Sequence, residues 1–306
     1  MRYTTKSEFY FMSEDKFIIA GIGEILWDVL SPTHKRLGGA PANFAYYAGK
    51  FGAESYPVSS IRNDSDGNEI LSEMKGKGIK TNHISRNSYP TGMVNVELDP
   101  QGKPCYTIKE DVAWDHIKAT RELIDLSKEV DAVCFGTLAQ RSVDSRKTIR
   151  KFISGTKPEC IRILDINLRQ NYFDLDIILT SLEMADILKI SDEELPVVAK
   201  MMDLTGNETQ IITVIMKNYN LDFLILTKGS KGARLVSRNS DISMKPSVSI
   251  KIADTVGAGD SFTAVVAVGL LKKKPLEEVL CKANEVAGIV CSQSGATVEL
   301  PANVIW

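Results

Sequence analysis

The stretch that governs this chain reads Asp254-Thr255-Val256-Gly257-Ala258-Gly259-Asp260, and it opens the apolar segment from Ser261 to Leu271. The small residues Gly257-Ala258-Gly259 allow a sharp turn that leaves backbone N–H groups uncovered. A helix that begins there gives those N–H groups no intrahelical partners, so together with the helix dipole they form a site for an anion. The carboxylate of Asp260 lies in the same turn, where it could accept a proton from a hydroxyl that attacks a phosphate. An aspartate that caps a core helix explains the same pattern, so these residues alone leave both interpretations open.

The composition bounds the class of protein. The chain has 306 residues, of which 43% are hydrophobic and 25% charged, with a formal net charge of −2. These values are typical of a soluble globular protein and disfavour nucleic acid or an anionic membrane as the partner. No apolar stretch has the length of a transmembrane helix, and residues 1–16 lack the apolar core of a signal peptide. Five cysteines without CxxC spacing suit a reduced compartment, so we expect a cytoplasmic protein with an N-terminal extension over residues 1–16.

Strand and helix patterns alternate along the chain. Compact apolar runs that suit buried strands lie at 17–23, 55–61, 132–135, 161–166, 187–190 and 223–227. Helical patterns lie between them, including 41–50, 69–77, 257–271 and 275–292, and two late strands at 234–237 and 242–250 look antiparallel. This alternation predicts an α/β fold with a doubly wound, mostly parallel sheet. The segment 89–115 differs, because 93–98 alternates apolar and polar residues and a turn at 99–102 leads to 106–108, which predicts an exposed hairpin.

Polar residues follow several of the predicted strands. Asp28 comes after an apolar run, and Gly38-Gly39-Ala40-Pro41-Ala42-Asn43 places two glycines and an amide at a helix start, where they could face a polyol. A surface aspartate and a tight turn would explain the same residues. Three more polar groups of residues follow buried strands, at 165–169, 189–194 and 227–232. The carboxyl ends of parallel strands are where ligands bind in such sheets, although Ser191 and Glu194 also fit a capping box.

Several site classes are excluded by their missing motifs. There is no G-x-x-x-x-G-K-[ST] phosphate loop, and Gly21-Ile22-Gly23 lacks the third glycine of a dinucleotide fingerprint. The histidines at 34, 83 and 116 have no metal-ligand spacing, and no Gly-x-Ser-x-Gly elbow exists.

The residues Gly38 to Asn43 and Asp254 to Asp260 resemble the two signatures of the ribokinase-like (PfkB) carbohydrate kinases, in the same order and at a similar separation. Within that family the chain resembles the bacterial fructokinases most, through residues 23–28, 113–115, 136–141 and 165–169. The resemblance implies a three-layer α/β/α kinase domain over residues 17–306, with a small β lid at about 24–37 and 90–113. It also implies a homodimer that forms through the lid.

The resemblance also implies roles for individual residues. Asp260 would be the base, the amides of Gly257, Ala258, Gly259 and Asp260 would form the anion hole, and Arg169 would reach the phosphates. The sugar hydroxyls would be held by Asp28, Gly38, Gly39 and Asn43. Between different sugars only pocket-lining residues would differ, and Trp27, Trp114 and Arg141 are candidates for shaping that pocket. The nucleotide, ATP, would be bound by Lys189, Ser191, Thr227, Gly229, Gly232 and Asn284.

Two cation sites are implied as well. Glu194 would organise the water shell of Mg²⁺, although Ser191 stands where the family's Asn-x-x-Glu motif has asparagine. The backbone around Asp254 and Val256 would hold a monovalent cation such as K⁺.

The predicted function is therefore transfer of phosphate from ATP to a primary hydroxyl of a small sugar, and D-fructose is the first candidate substrate. A kinase for another sugar, a sugar acid or a nucleoside, and a non-catalytic sugar- or nucleotide-binding regulator, stay open as alternatives.

Overall fold

The computed structural model describes residues 16–31, 33–98, 104–246 and 251–306. The predicted N-terminal extension therefore lies outside the described residues, except for its last residue. In the described ranges the chain forms thirteen strands and nine α-helices. The strands are β1 Ile18–Ile22, β2 Leu26–Ser31, β3 His34–Gly38, β4 Glu54–Arg62, β5 Ile84–Asn87, β6 Gly92–Leu98, β7 Pro104–Ile108, β8 Ala132–Phe135, β9 Ile161–Asp165, β10 Ile187–Ser191, β11 Phe223–Thr227, β12 Ala233–Ser237 and β13 Asp241–Met244. The helices are α1 Ala40–Lys50, α2 Ser65–Gly76, α3 Arg121–Glu129, α4 Val143–Ser154, α5 Leu175–Glu183, α6 Glu194–Met201, α7 Glu208–Asn218, α8 Ala258–Leu271 and α9 Leu276–Cys291.

The main sheet has the strand order β13-β12-β11-β10-β9-β8-β1-β4-β5. In this order, each pair of adjacent strands from β11 through β10, β9, β8, β1 and β4 to β5 is parallel. Strands β12 and β13 extend the sheet at the β11 edge by antiparallel pairing. The central strands are short apolar runs buried on both faces, and all four residues of β8 are buried. Strands of this kind need helices on both sides of the sheet. The predicted doubly wound, mostly parallel α/β fold is therefore confirmed.

The helices divide between the two faces of the main sheet because successive strand residues point to opposite sides. Helices α1, α2, α8 and α9 share one core with Ile19, Cys134 and Ile163. Helices α3 to α7 share the other core with Ala20 and Leu164. The result is three layers, α/β/α.

The four remaining strands form a separate small sheet in the order β3-β2-β6-β7. Strand β2 pairs antiparallel with β3 and parallel with β6, and β6 pairs antiparallel with β7. The hairpin predicted between 93 and 108 is thus present, while its predicted turn at 99–102 lies outside the described residues. That this sheet acts as a lid stays a prediction.

The carboxyl ends of β1, β8, β9, β10 and β11 lie at one edge of the main sheet. The chain builds β4 and β5 on one side of β1 and β8 to β13 on the other, so the strand order reverses between β1 and β8. A crevice at such a reversal is the usual ligand site in an open α/β sheet. Within the described ranges, no helix is both long and apolar enough to cross a membrane.

Predicted and observed element boundaries differ most at α2. The helix begins at Ser65 rather than at the predicted Glu69 because the Asp64 carboxylate accepts the Gly67 N–H at 2.8 Å and caps it earlier. The strand predicted over 242–250 corresponds to β13, which ends at Met244. Residues 247–250 of that prediction lie outside the described residues.

Candidate active site

The start of α8 is built around Gly257. This residue is the N-cap of the helix, with φ of 80° in the left-handed region. A Cβ placed on it would lie 2.3 Å from the Ala296 carbonyl oxygen, so only glycine fits. Asp260 is consequently the third residue of α8, and its side chain does not cap the helix. The alternative of an N-cap aspartate is therefore wrong.

The Asp260 carboxylate faces the start of another helix. Asn43 on α1 donates a hydrogen bond from Nδ2 to Asp260 Oδ2 at 2.8 Å, which joins α1 to α8. Burial raises the pKa of Asp260 to about 7, the negative charge of Asp165 adds to the shift, and the Asn43 hydrogen bond opposes it. A carboxyl with this pKa can take a proton near neutral pH, which is what a general base requires.

The two glycines before α1 make room for the backbone of Glu24 and for the side chain of Asp28. A Cβ on Gly39, whose φ is +114°, would lie 2.4 Å from the Glu24 carbonyl oxygen, and a Cβ on Gly38 would lie 2.5 Å from Asp28 Oδ2. The Asp28 carboxyl therefore lies against the backbone before α1, where burial raises its pKa to about 6. Glu24 is buried and its Oε1 accepts the Ala40 N–H at 3.3 Å. Glu24 was not among the predicted site residues, although a carboxylate between the buried strand β1 and the apolar run that follows was a usable signal.

Lys189 and Asp165 form a buried ion pair below α8. They are register partners on the parallel strands β10 and β9, and Lys189 Nζ lies 2.9 Å and 3.1 Å from the two Asp165 oxygens. Thr263 on α8 donates its hydroxyl to Asp165 Oδ2 at 3.0 Å. A Cβ on Gly259 would lie 2.8 Å from Lys189 Nζ, so the ammonium group sits directly beneath the first turn of α8. A contact between Lys189 and a nucleotide stays a prediction.

Two of the other residues predicted to bind the nucleotide, Gly232 and Asn284, meet at the end of β13. A Cβ on Gly232 would lie 2.0 Å from the Met244 carbonyl oxygen, and Asn284 Nδ2 donates to that oxygen at 3.5 Å and to Leu280 O at 3.0 Å. Ser191 and Thr227 are register partners at the carboxyl ends of β10 and β11. Gly229 follows with φ of +52°, and a Cβ placed on it would meet no atom within 4 Å, so this loop leaves open space.

Glu194 and Ser191 form the capping box that the sequence allowed. Glu194 Oε2 accepts the Ser191 N–H at 2.9 Å, and Ser191 Oγ accepts the Glu194 N–H at 3.1 Å. Glu194 Oε1 accepts the Leu168 N–H at 2.8 Å, which ties the start of α6 to the loop that carries Arg169. Each carboxylate oxygen keeps a further lone pair, so this geometry is compatible with the predicted role of Glu194 toward Mg²⁺-bound water.

No group of three or more His, Cys, Asp or Glu side chains in the described part of the chain is arranged to hold a metal ion. A Mg²⁺ ion in phosphoryl-transfer enzymes is usually held by one or two carboxylates together with the substrate's phosphates, so a single Glu194 fits that pattern.

Asp254 connects the small sheet to the loop before α8. Its Oδ2 lies 3.0 Å from Arg36 Nη1 on β3 and accepts the Gly295 N–H at 3.2 Å, while Oδ1 accepts the Val256 N–H at 3.1 Å. Arg36 lies opposite Asp28 in the β2–β3 register. A monovalent cation at Asp254 and Val256 stays a prediction.

Arg169 is exposed and lies close to the acidic side of the crevice. Burial raises the pKa of Glu24, Asp28 and Asp260, and the positive charge of Arg169 acts in the opposite direction on all three. The structure therefore brings Arg169 to the same side of the crevice as the predicted base.

The three residues expected to shape the sugar pocket are buried or stacked against aromatic rings. Trp27 and Trp114 are fully buried. The Arg141 guanidinium stacks 4.1 Å from the Trp114 ring centroid and 4.5 Å from that of Tyr172, and it is paired with Asp115 at 2.8 Å. That they shape the sugar pocket stays a prediction.

Known proteins resemble this chain over most of its length. A model of the pfkB family carbohydrate kinases matches residues 30–303. The chain belongs to the PfkB family of carbohydrate kinases. The prediction of a kinase of this family is thus confirmed.

Relatives with different names share this family. A sugar kinase of Pyrococcus horikoshii is 30% identical over 90% of this chain and 89% of its own length. A 5-dehydro-2-deoxygluconokinase of Bacillus subtilis is 23% identical over 98% of this chain and 96% of its own. A fructokinase of Salmonella typhimurium is 24% identical over 92% of this chain and 95% of its own.

Solved structures agree with the fold. The crystal structure of an uncharacterized sugar kinase from P. horikoshii in complex with ATP matches with a TM-score of 0.77 and 28% identity, over 91% of this chain and 94% of that one. A fructokinase from Xylella fastidiosa with bound ATP matches with a TM-score of 0.81 at 18% identity, over 94% of both chains. The latter likeness supports the fold alone.

Proposed function

We propose that this carbohydrate kinase transfers the γ-phosphoryl group of ATP to a primary hydroxyl of a small sugar, with D-fructose as the first candidate substrate. The observation that carries the proposal is Asp260, which is held by Asn43 at the start of α8 with a pKa raised to about 7. Phosphoryl transfer needs a proton acceptor and hydrogen-bond donors that stabilise the charge of the transferring group. The first turn of α8 contains both, namely the Asp260 carboxylate and the backbone N–H groups.

The proposed step is an in-line displacement. The sugar hydroxyl oxygen forms a bond to the γ-phosphorus while the bond from that phosphorus to the bridging oxygen of ADP breaks, and the hydroxyl proton passes to Asp260. The amides of Gly257, Ala258, Gly259 and Asp260 receive the charge of the transferring group. Asp28, Gly38, Gly39 and Asn43 hold the other sugar hydroxyls, and Arg169 approaches the phosphates from the exposed side.

The nucleotide is proposed to lie over the carboxyl ends of β10 and β11, along Ser191, Thr227, Gly229 and Gly232 toward Asn284. The open space at Gly229 supports this placement. Mg²⁺, when bound with the nucleotide, neutralises phosphate charge, and Glu194 would orient its water shell. K⁺ is proposed at the backbone of Asp254 and Val256, where it would add positive charge near the anion hole.

The choice of D-fructose rests on the fructokinase-like motifs and on the similarity to the S. typhimurium fructokinase. A sugar acid is the second candidate. The positive charges of Arg36 and Arg169 both lower the pKa of Asp28, and guanidinium groups so placed would suit a substrate carboxylate. We also propose that the small sheet closes over the sugar and serves as the contact of a homodimer in the cytoplasm.

The test is an assay of ADP formation with Mg-ATP and K⁺ across fructose, ribose, tagatose, a keto-deoxy sugar acid and adenosine, with ³¹P NMR of each product. Strong turnover with fructose and a phosphomonoester on its primary hydroxyl would support the proposal. Preference for the sugar acid would shift it to the second candidate. ATP binding without transfer to any acceptor of the panel would overturn fructose as the substrate, and would point to an untested acceptor first and to the non-catalytic regulator second.

A further inference from the structure

The Lys189–Asp165 ion pair is more buried than the Arg162–Asp186 ion pair at the other end of β9. The side chains of Lys189 and Asp165 are 11% and 6% exposed. At the opposite edge of the same two strands, Arg162 of β9 pairs with Asp186, and there the side chains are 32% and 20% exposed. Desolvating two charges is costly, and apolar residues of similar size often stabilise a core at least as well. Stability alone is therefore a weak reason for this pair.

Its position offers a stronger reason. The Lys189 ammonium lies directly below the backbone of Gly259, in the turn whose amides form the proposed anion hole. Asp165 accepts three hydrogen bonds, two from the Lys189 ammonium and one from the Thr263 hydroxyl of α8. The pair is therefore fixed to the helix whose N-terminus it underlies.

We propose that Lys189 is a positioning residue for phosphoryl transfer, and that Asp165 holds its ammonium group beneath the first turn of α8 to supply fixed positive charge there. This inference rests on the proposed kinase function. The ammonium would strengthen the anion hole through the amides of Gly259 and Asp260 and would favour the deprotonated form of the base. Lys189 need not touch the substrate for either effect.

The effect on the base depends on every charged group around Asp260. The groups that face it from the packed elements are Asn43 and Tyr47 on α1, Cys134 on β8, Asp165 on β9, Arg169 after β9 and Lys189 on β10. Among the charged groups, Asp165 raises the pKa of Asp260, while Lys189 and Arg169 lower it. Removing the Lys189 charge alone would leave Asp165 uncompensated and disfavour the ionised base.

The experiment compares kcat against pH for the wild type, Lys189→Met, the double variant Lys189→Met/Asp165→Asn, and Arg162→Met as a matched control at the other edge of the same strands. For Lys189→Met we expect kcat to fall about 100-fold, the loss typical of one anion-hole donor, with its acid limb moved to higher pH and little change in sugar KM. The double variant buries no unpaired charge, so it keeps the test open if Lys189→Met fails to fold. We expect its acid limb to return toward that of the wild type while its plateau kcat stays low.

The control variant Arg162→Met should lower thermal stability and leave kcat and the acid limb unchanged. A double variant whose plateau kcat recovers to the wild-type value would show that Lys189 only neutralises Asp165, and the inference would fall. The same holds if Lys189→Met folds and keeps the wild-type pH profile. Failure of the wild type to phosphorylate any sugar is a different result, because it overturns the proposed function itself.

Discussion

The hydrogen bond from Asn43 to Asp260 offers a quantitative test of how the base is tuned. In Asn43→Ala the 2.8 Å bond to Asp260 Oδ2 is lost. Within the described residues Asn43 Oδ1 is buried without a hydrogen-bond partner, so this is the side-chain hydrogen bond within the protein that the substitution removes. Loss of the proposed contact between Asn43 and the sugar is offset by measuring kcat at saturating sugar. A hydrogen bond to a charged group contributes about 1.5 to 3 kcal/mol, and one pKa unit corresponds to about 1.4 kcal/mol.

The sign follows from which form of Asp260 the bond stabilises. Asn43 donates to the carboxylate, so its loss disfavours the ionised form and raises the pKa of Asp260 further, from about 7 by about one to two units. At pH 7 the ionised fraction would fall from about a half to about a tenth or a hundredth, and kcat with saturating sugar would fall about 5- to 50-fold. Activity should recover as the pH rises through the new pKa.

The assay is steady-state ADP formation between pH 5.5 and 10 with saturating sugar and Mg-ATP. Tyr46→Phe is the matched control on the same helix, because it removes hydrogen bonds to Val298 and Glu299 and does not touch Asp260 or the turn before α8. Its acid limb should stay in place. An Asn43→Ala profile with the wild-type acid limb would refute the reasoning, whatever its plateau rate.

Two further predictions concern the frame of the site. Gly39→Ala should destabilise the protein by about 2 to 3 kcal/mol more than Gly52→Ala in thermal or urea unfolding. Both positions have positive φ, but only Gly39 has a carbonyl oxygen within 2.4 Å of the added Cβ. Equal losses of stability would contradict the close approach of the Glu24 backbone to Gly39. Glu194→Gln should raise the Mg²⁺ concentration for half-maximal activity about tenfold. The control is Gln210→Ala, which weakens the capping box that Asn207 and Gln210 form at the start of α7 and should lower stability without changing the Mg²⁺ titration. An unchanged Mg²⁺ requirement in Glu194→Gln would leave that residue with a capping role alone.

The fold was predictable because its determinants are local. Short apolar runs such as Ala132–Phe135 and Phe223–Thr227 suit strands buried on both faces, and their alternation with helices specifies a parallel sheet. The start of α2 was not predictable, since it depends on the Asp64 side chain accepting a single N–H. Helix boundaries of this kind are decided by capping contacts that hydrophobic periodicity does not report.

The candidate site was predictable in part. Asp260 and Asn43 could be named from their motifs, but their hydrogen bond joins residues 217 positions apart and depends on how α1 packs against α8. The pairing of Lys189 with Asp165 depends on the register between β9 and β10, which the two strand sequences do not specify. Glu24 could have been singled out as a carboxylate among apolar neighbours, but only the structure shows that it turns toward the start of α1.

The central claim is that Asp260 is the base of a phosphoryl transfer to a sugar hydroxyl. The most direct measurement is single-turnover phosphoryl transfer by Asp260→Asn, compared with the wild type on the best sugar of the panel, together with the affinities for sugar and ATP. We predict a rate about 100- to 10,000-fold lower with nearly unchanged affinities, because the amide keeps the shape of the carboxylate but cannot take the proton. A rate within a few-fold of the wild type would contradict the claim.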